Sequence, residues 1–129
     1  MRVASSAVLD LLREARDTIA ARGLSQGSPA RRRDGAPLLD ARDSGAATVS
    51  VVSAIGIAAR KLRLENREVT VAVERFHATN CKGVKAPHVV WAVTDWADAE
   101  GRSTSDVVDA FNRTIATYHA RSPRAATGT

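Results

Sequence analysis

Hydrophobic residues recur every three or four positions along most of the chain, a spacing that places them on one face of an α-helix. The pattern predicts five helices, at 6–22, 44–64, 66–78, 88–97 and 103–120. The first and last are the most regular, with apolar stripes at Val8, Leu11, Leu12, Ala15 and Ile19 and at Val107, Val108, Phe111, Ile115 and Tyr118. The sequence therefore predicts an all-α fold, a compact bundle of four or five helices.

Three residues mark helix ends or helix contacts. Gly23 follows the first helix, and its missing Cβ predicts a positive φ that ends the helix there. Ser103 precedes the last helix, with Asp106 three residues later as its partner in a capping box. Gly56 lies inside the second helix, where the absence of a side chain would let a neighbouring helix approach closely.

A short β element near 69–73 or 89–93 is the alternative for two of the helical segments, because valines are dense there. Over 66–78 a helix is favoured, since it gathers the charged residues of that segment on one solvated side. A strand also competes with the start of the second helix, at 48–52, where β-branched residues are frequent.

Length and composition predict a single domain. The chain has 129 residues, of which 44% are hydrophobic but only 4% aromatic, so its core must consist mainly of Ala, Val, Leu and Ile. We expect a helical domain over 1–120, interrupted by a long loop at 24–43. Leu38 and Leu39 are expected to pin the middle of this loop to the core. The last residues, 121–129, are expected to form a disordered tail.

The chain is basic, with a net charge of +5, which permits nucleic-acid binding without requiring it. An arginine triplet in the predicted loop and a basic cluster near the end of the second helix are candidates for phosphate contacts. These candidate nucleic-acid-binding residues are Arg31, Arg32, Arg33, Arg60, Lys61 and Arg63. The alternative is a solvated basic surface, because no helix-turn-helix or RNA-binding signature accompanies them.

Both tryptophans lie in the acidic stretch "VVWAVTDWADAEG". In a chain so poor in aromatic residues, Trp96 is expected to fill the core. Trp91 is the better candidate for a surface position, and with Asp95 it forms a candidate interaction surface. Asp98 is expected to accept backbone hydrogen bonds in the turn before the last helix.

The acidic residues also suggest two kinds of chemistry. A calcium loop through Asp98 would place Trp96 and Val107 at ligand positions, and neither side chain can ligate a cation. Asp95 and Asp98 remain candidates for paired carboxylates in a small enzyme.

The sequence predicts no metal and no cofactor. His77, Cys81 and His88 offer three ligands across a loop, which is short of a tetrahedral zinc site. The motifs of a nucleophile elbow, a phosphate loop and a dinucleotide fold do not occur. Lys82 beside Cys81 would lower the pKa of the thiol, although a lone cysteine in a loop is more often an incidental residue. The single cysteine and the lack of a long apolar run predict a cytoplasmic protein outside the membrane.

Three stretches, "LLREARDTIAARGLSQG", "VSAIGIAARKL" and "WADAEGRSTSDVVDAF", resemble a family of small actinobacterial and actinophage proteins of unknown function. That family typically shows Arg-Gly-Trp-x-Gln-Gly after the first helix, Cys-x-x-Gly-Ala in the central helix and Trp-Asn-Asp before the last. Here Leu24 and Ala97 replace the usual tryptophan and asparagine, and the cysteine is missing. The resemblance covers about 8–118. It implies a helical fold and a bacterial or phage origin, but no activity.

These patterns leave the function unknown and favour a non-enzymatic protein-interaction module of bacterial or phage origin. Its partner would be a protein, and a host protein if the chain is phage-encoded. The alternative is a nucleic-acid-binding accessory protein. A small enzyme that uses Asp95 and Asp98 is the third hypothesis.

Overall fold

Five helices account for most of the structure, which confirms the predicted all-α class. The structure, a computed structural model, describes residues 4–121. The helices are α1 (Ser5–Arg22), α2 (Val51–Lys61), α3 (Asn66–Asn80), α4 (Val89–Ala97) and α5 (Thr104–Arg121). Three short strands lie between α1 and α2, namely β1 (Ala30–Arg31), β2 (Pro37–Leu38) and β3 (Thr48–Val49). The predicted tail at 121–129 lies, apart from its first residue, outside the described residues.

Helix α1 is the centre of the bundle and packs against α2, α3 and α5. Its buried face carries the predicted stripe, Val8, Leu11, Leu12, Ala15 and Ile19, together with Leu9. Three aromatic side chains fill the part of the core between α3, α4 and α5. The Phe76 ring centroid lies 5.4 Å from that of Trp96 and 4.9 Å from that of Phe111. These rings join α3, α4 and α5, so few aromatic residues suffice to connect three helices.

The strands form a small antiparallel sheet in the order β2-β1-β3. Ala30 in the central strand pairs with Leu38 on one side and with Val49 on the other. All three side chains are buried, so the sheet contributes its own apolar face to the core.

A short β element is present as predicted, but it lies at neither of the two positions named for it, 69–73 and 89–93. The segments 69–73 and 89–93 both lie within helices, in α3 and α4. In α3 the buried residues include Ala72, Val73 and Phe76, whose spacing is that of a helix face. The helix that the sequence favoured over 66–78 is therefore confirmed, and Phe76 lies on its buried face.

Helix α2 is shorter than the predicted 44–64. The hydroxyl of Ser50 accepts a hydrogen bond from the Ser53 N–H at 3.2 Å and so caps the helix start. The residues just before it, Thr48–Val49, form β3, so the competing strand prediction at 48–52 was right for its first two positions.

The ends of α1 and α5 have the backbone features that the sequence predicts. Gly23 has a φ of 94°, and its N–H donates to the carbonyl oxygen of Ile19 at 2.8 Å. At α5, the Ser103 N–H donates to the Asp106 carboxylate at 3.0 Å, and the Ser103 hydroxyl accepts from the Asp106 N–H at 3.1 Å. The bond from the Ser103 N–H lowers the pKa of Asp106, because it favours the ionised carboxylate.

The segment 24–43, predicted as a loop, contains β1 and β2. Arg31 fixes their hairpin, since its guanidinium donates to the carbonyl oxygens of Gln26 and Gly35 at 2.9–3.1 Å. Leu38 is buried as predicted. Leu39 is not, because its side chain is 96% exposed. One leucine of the pair therefore anchors the hairpin, while the other points away from the core.

Candidate functional site

The outer side of α2 borders an open groove with a largely apolar wall. The groove lies between α2, the start of α3 and the segment 39–42, and its volume is about 390 Å³. We call it the α2 groove and define it by Leu39, Gly56, Ile57, Arg60, Leu64 and Val69. None of these side chains is fully buried, so the groove is accessible to a partner.

The absence of a side chain at Gly56 leaves free space in this groove. A Cβ built at Gly56 would have no atom within 4 Å. The sequence suggested that this glycine allows a neighbouring helix to approach, but no element of residues 4–121 lies against it. The missing side chain instead leaves a gap in the outer face of α2, and the exposed Leu39 stands at the rim.

A second cleft, of about 240 Å³, adjoins the α2 groove and shares Arg42, Ile57 and Arg60 with it. Its other wall includes Arg22, from the end of α1, and Asp43. We call this the arginine cleft. The two clefts together form one surface that is apolar at the Val69 end and basic at the Arg22 end.

The carboxylates of this surface already have partners. Asp40 lies 2.9 Å from a guanidinium nitrogen of Arg42 and also accepts the Arg42 N–H, and these bonds lower the pKa of Asp40 to about 2. Asp43 accepts the N–H of Gly45 at 2.7 Å. Within residues 4–121, the side chains of Arg22 and Arg60 make no hydrogen bond or ion pair. These two guanidinium groups are therefore available to a partner.

The predicted nucleic-acid-binding residues do not form one patch. Arg31 is used in the hairpin, as described above, and Lys61 pairs with Glu14 at 3.0 Å. Arg32 and Arg33 are exposed at the hairpin. Arg63 follows α2 with a φ of 58°, and only Arg60 lines the clefts described above.

The predicted interaction surface of Trp91 and Asp95 lies on the exposed side of α4. Trp91 is 60% exposed, and Asp95 follows one helical turn later. A further cleft between α3 and α5, lined in part by Arg75 and Tyr118, has a volume of about 160 Å³. Neither Trp91 nor Asp95 lines this cleft, the α2 groove or the arginine cleft.

Trp96 and Asp98 belong to a set of contacts around the turn before α5, which joins that turn to the segment after α1. We call this set the clasp, and it consists of Gln26, Gly27, Trp96, Asp98 and Arg102. Trp96 is only 8% exposed. A carboxylate oxygen of Asp98 accepts the Gly27 N–H at 3.0 Å, which joins the turn before α5 to the segment after α1. The Gln26 amide donates to the carbonyl oxygens of Ala97 and Ala99 at 2.8 and 3.1 Å. Asp98 therefore accepts from a distant segment rather than from its own turn.

Sequence reasoning missed two members of this clasp, Gln26 and Arg102. Gln26 and Gly27 lie in the Gln-Gly pair of the motif that carries the resemblance, so a signal for them was present. Arg102 had no such signal, because it lies in a turn. Its guanidinium carbon is 4.0 Å from the Trp96 ring centroid, and its Nε donates to the Trp96 carbonyl oxygen at 3.0 Å.

The candidate metal ligands are not assembled. Within residues 4–121, no group of three His, Cys, Asp or Glu side chains is placed to hold a metal ion. Cys81 is buried, and burial raises the pKa of its thiol to about 11. The expectation that Lys82 lowers this pKa was wrong. The nearby charge that acts on the thiol is that of Arg102, and desolvation of the thiolate outweighs it.

Comparison with known proteins establishes the family. The model of a family of unknown function, DUF6197, matches residues 4–117, and the chain belongs to that family. No curated protein and no solved structure matches the chain. In the described part of the chain, no helix is both long enough and apolar enough to cross a membrane.

Proposed function

We propose that the chain is a non-enzymatic protein-interaction module of bacterial or phage origin, and that its partner binds in the α2 groove. The proposal places the module in the cytoplasm, in keeping with its single, unpaired and buried Cys81. A phage-encoded module of this kind would bind a host protein.

The observation that carries the proposal is the uncovered outer face of α2. Leu39 is almost fully exposed beside it, and Gly56 leaves a gap that no part of residues 4–121 fills. Exposed apolar surface with a polar border is typical of a site that another protein covers. Trp91 is exposed alone on α4, and single exposed apolar residues are common on protein surfaces.

The two aspartates offer less support for an enzyme. A paired-carboxylate site needs both groups to face a shared space that a substrate can enter. Asp98 uses a carboxylate oxygen to hold Gly27, and Asp95 is exposed on α4. Neither lines the α2 groove, the arginine cleft or the cleft between α3 and α5.

Site-specific photocrosslinking tests the proposal. A photoreactive amino acid replaces Leu39 in one protein and the exposed Thr94 of α4 in another, and each is irradiated in an actinobacterial lysate. We expect a discrete crosslinked protein at position 39 that disappears when Gly56→Trp fills the groove. The Thr94 probe should give no product that depends on Gly56.

Two further results would contradict the proposal. One is a position-39 product that is equally abundant with and without Gly56→Trp. The other is a Gly56-sensitive product that consists of nucleic acid rather than protein. Circular dichroism of the Gly56→Trp variant confirms that its helices are intact before the comparison is made.

A further inference from the structure

We infer that the α2 groove and the arginine cleft together bind an acidic peptide segment that carries an aliphatic side chain. This inference rests on the proposed function and specifies the chemistry of the partner. The aliphatic side chain would occupy the gap over Gly56, and a carboxylate of the same segment would reach Arg60 and Arg22.

The apolar end of the surface suits an aliphatic side chain. Leu39 and Ile57 border the gap at Gly56, while Leu64 and Val69 extend the same wall towards α3. None of the residues that line either cleft is aromatic. A leucine-like or isoleucine-like group placed there would cover apolar surface on both partners, which is the main favourable contribution to such an interface.

The basic end of the surface suits a carboxylate. Arg22, Arg42 and Arg60 line the arginine cleft. Arg42 is already paired with Asp40, so Arg22 and Arg60 remain to bind a new anion. Guanidinium groups bind carboxylates through two parallel hydrogen bonds, which adds geometric selectivity to charge attraction. An acidic segment therefore matches the two arginines that lack a partner within residues 4–121.

A nucleic acid fits this surface less well. Single-stranded nucleic acids are held largely by stacking of bases on aromatic rings, and neither cleft offers one. The exposed Trp91, which could stack a base, is on α4 and lines neither cleft.

A second copy of the chain is also less suited. A two-fold dimer brings the same patch of both copies together. Joining two copies through this surface would bring Arg22 and Arg60 of both copies, four guanidinium groups, into one interface. The chain has a net charge of +5, so the repulsion would not be confined to the patch.

A peptide-display selection tests the inference directly. A random peptide library is selected on the immobilised full-length chain, after removal of peptides that bind the Gly56→Trp variant. We expect the enriched peptides to combine Asp or Glu with Leu, Ile or Val. The best peptide is synthesised with a fluorophore, and its affinity is measured by fluorescence anisotropy over a range of salt concentrations.

Four variants show which groups bind the peptide. Arg60→Gln and Arg22→Gln should each weaken binding by about tenfold and reduce its salt dependence, since each removes a charge-assisted hydrogen bond. Leu39→Ser should weaken binding without changing its salt dependence. Arg33→Gln is the matched control, because Arg33 is exposed but lines neither cleft, and it should leave the affinity unchanged.

The possible results separate the inference from the proposed function. Groove-dependent peptides without acidic residues, or binding unaffected by Arg60→Gln, would overturn the acidic partner while the interaction module stands. A selection that yields no groove-dependent peptide would overturn both. Groove-dependent binding of a labelled oligothymidylate would show that the partner is a nucleic acid and not a peptide. If sedimentation detects a dimer and Leu39→Ser dissociates it, the partner in the groove is a second copy of the chain.

Discussion

The central guanidinium carbon of Arg102 lies over the Trp96 ring, 4.0 Å from its centroid, while the Arg102 Nε donates to the Trp96 carbonyl oxygen. One side chain thus contacts both the indole and the backbone of the same residue. The Trp96 ring also meets Phe76 in an edge-to-face contact. Trp96 is therefore held between the core and the turn that leads into α5.

Truncation of Trp96 should destabilise the domain strongly. Trp96→Ala removes a buried indole and its contact with Phe76, so we expect the free energy of unfolding to fall by roughly 3–5 kcal/mol. Urea denaturation followed by circular dichroism measures the loss. Trp91→Ala is the control, and because Trp91 is 60% exposed its effect should stay within about 0.5 kcal/mol. Equal losses for the two variants would contradict the burial of Trp96.

Replacement of Arg102 by lysine should cost less but remain measurable. Lysine keeps the positive charge but lacks the planar group that stacks on the indole and the Nε that donates to the Trp96 carbonyl. We expect a loss of about 1 kcal/mol in the same urea experiment. An Arg102→Lys protein as stable as the wild type would show that the stacking contact contributes little.

The hydrogen bond from the Gly27 N–H to Asp98 predicts that substitutions at position 98 lower the free energy of unfolding by different amounts. Asp98→Ala removes the acceptor of the Gly27 N–H and should cost about 1 kcal/mol. Asp98→Asn should cost less, because the amide oxygen can still accept this hydrogen bond. Asp95→Ala provides the control on the exposed side of α4 and should be nearly neutral. A greater loss of stability at Asp95 than at Asp98 would contradict the stabilising role of the Asp98–Gly27 hydrogen bond.

The raised pKa of Cys81 predicts slow alkylation in the folded protein. With a thiol pKa of about 11, roughly one molecule in a thousand carries the reactive thiolate at about pH 8. Burial further restricts access of the reagent. Iodoacetamide labelling, followed by mass spectrometry, should be much faster in denaturant, where the pKa returns to about 8.5. Native labelling as fast as denatured labelling would show that Cys81 is accessible.

The sequence predicted the helices well because the signals that mark them are largely local. Capping at Ser103, termination at Gly23 and apolar spacing in α1 and α5 all depend on residues close together in the chain. The sheet was misplaced because its register depends on distant pairs. Ala30 pairs with Val49 across 19 positions, and no pattern near either residue specifies that partner.

The candidate site was harder to predict for the same physical reason. Leu38 and Leu39 are chemically identical, and only the pairing of β2 with β1 decides which of them is buried. From the sequence, Gly56 was explained as a position where a neighbouring helix approaches α2 closely. Its position on an uncovered face became clear only when the packing of α2 against α1 and α3 was known.

Two glycines should respond to alanine with opposite signs. Gly23 has φ 94° and ψ 157°, a region that is essentially restricted to glycine. Gly23→Ala should therefore destabilise the protein by roughly 1–3 kcal/mol. Gly56 lies within α2, and no atom lies within 4 Å of the position of its Cβ. Gly56→Ala should stabilise the protein by about 0.5–1 kcal/mol, because alanine loses less backbone entropy in a helix.

Thermal and urea denaturation of both variants measure the two effects on the same scale. If Gly56→Ala destabilises the protein, then an element must approach α2 closely at that point, and the α2 groove is not open in the folded chain. If Gly23→Ala is neutral, the end of α1 can adopt a φ that alanine tolerates. The sign of the stability change in Gly56→Ala matters most, because an open face on α2 is the physical basis of the proposed binding site.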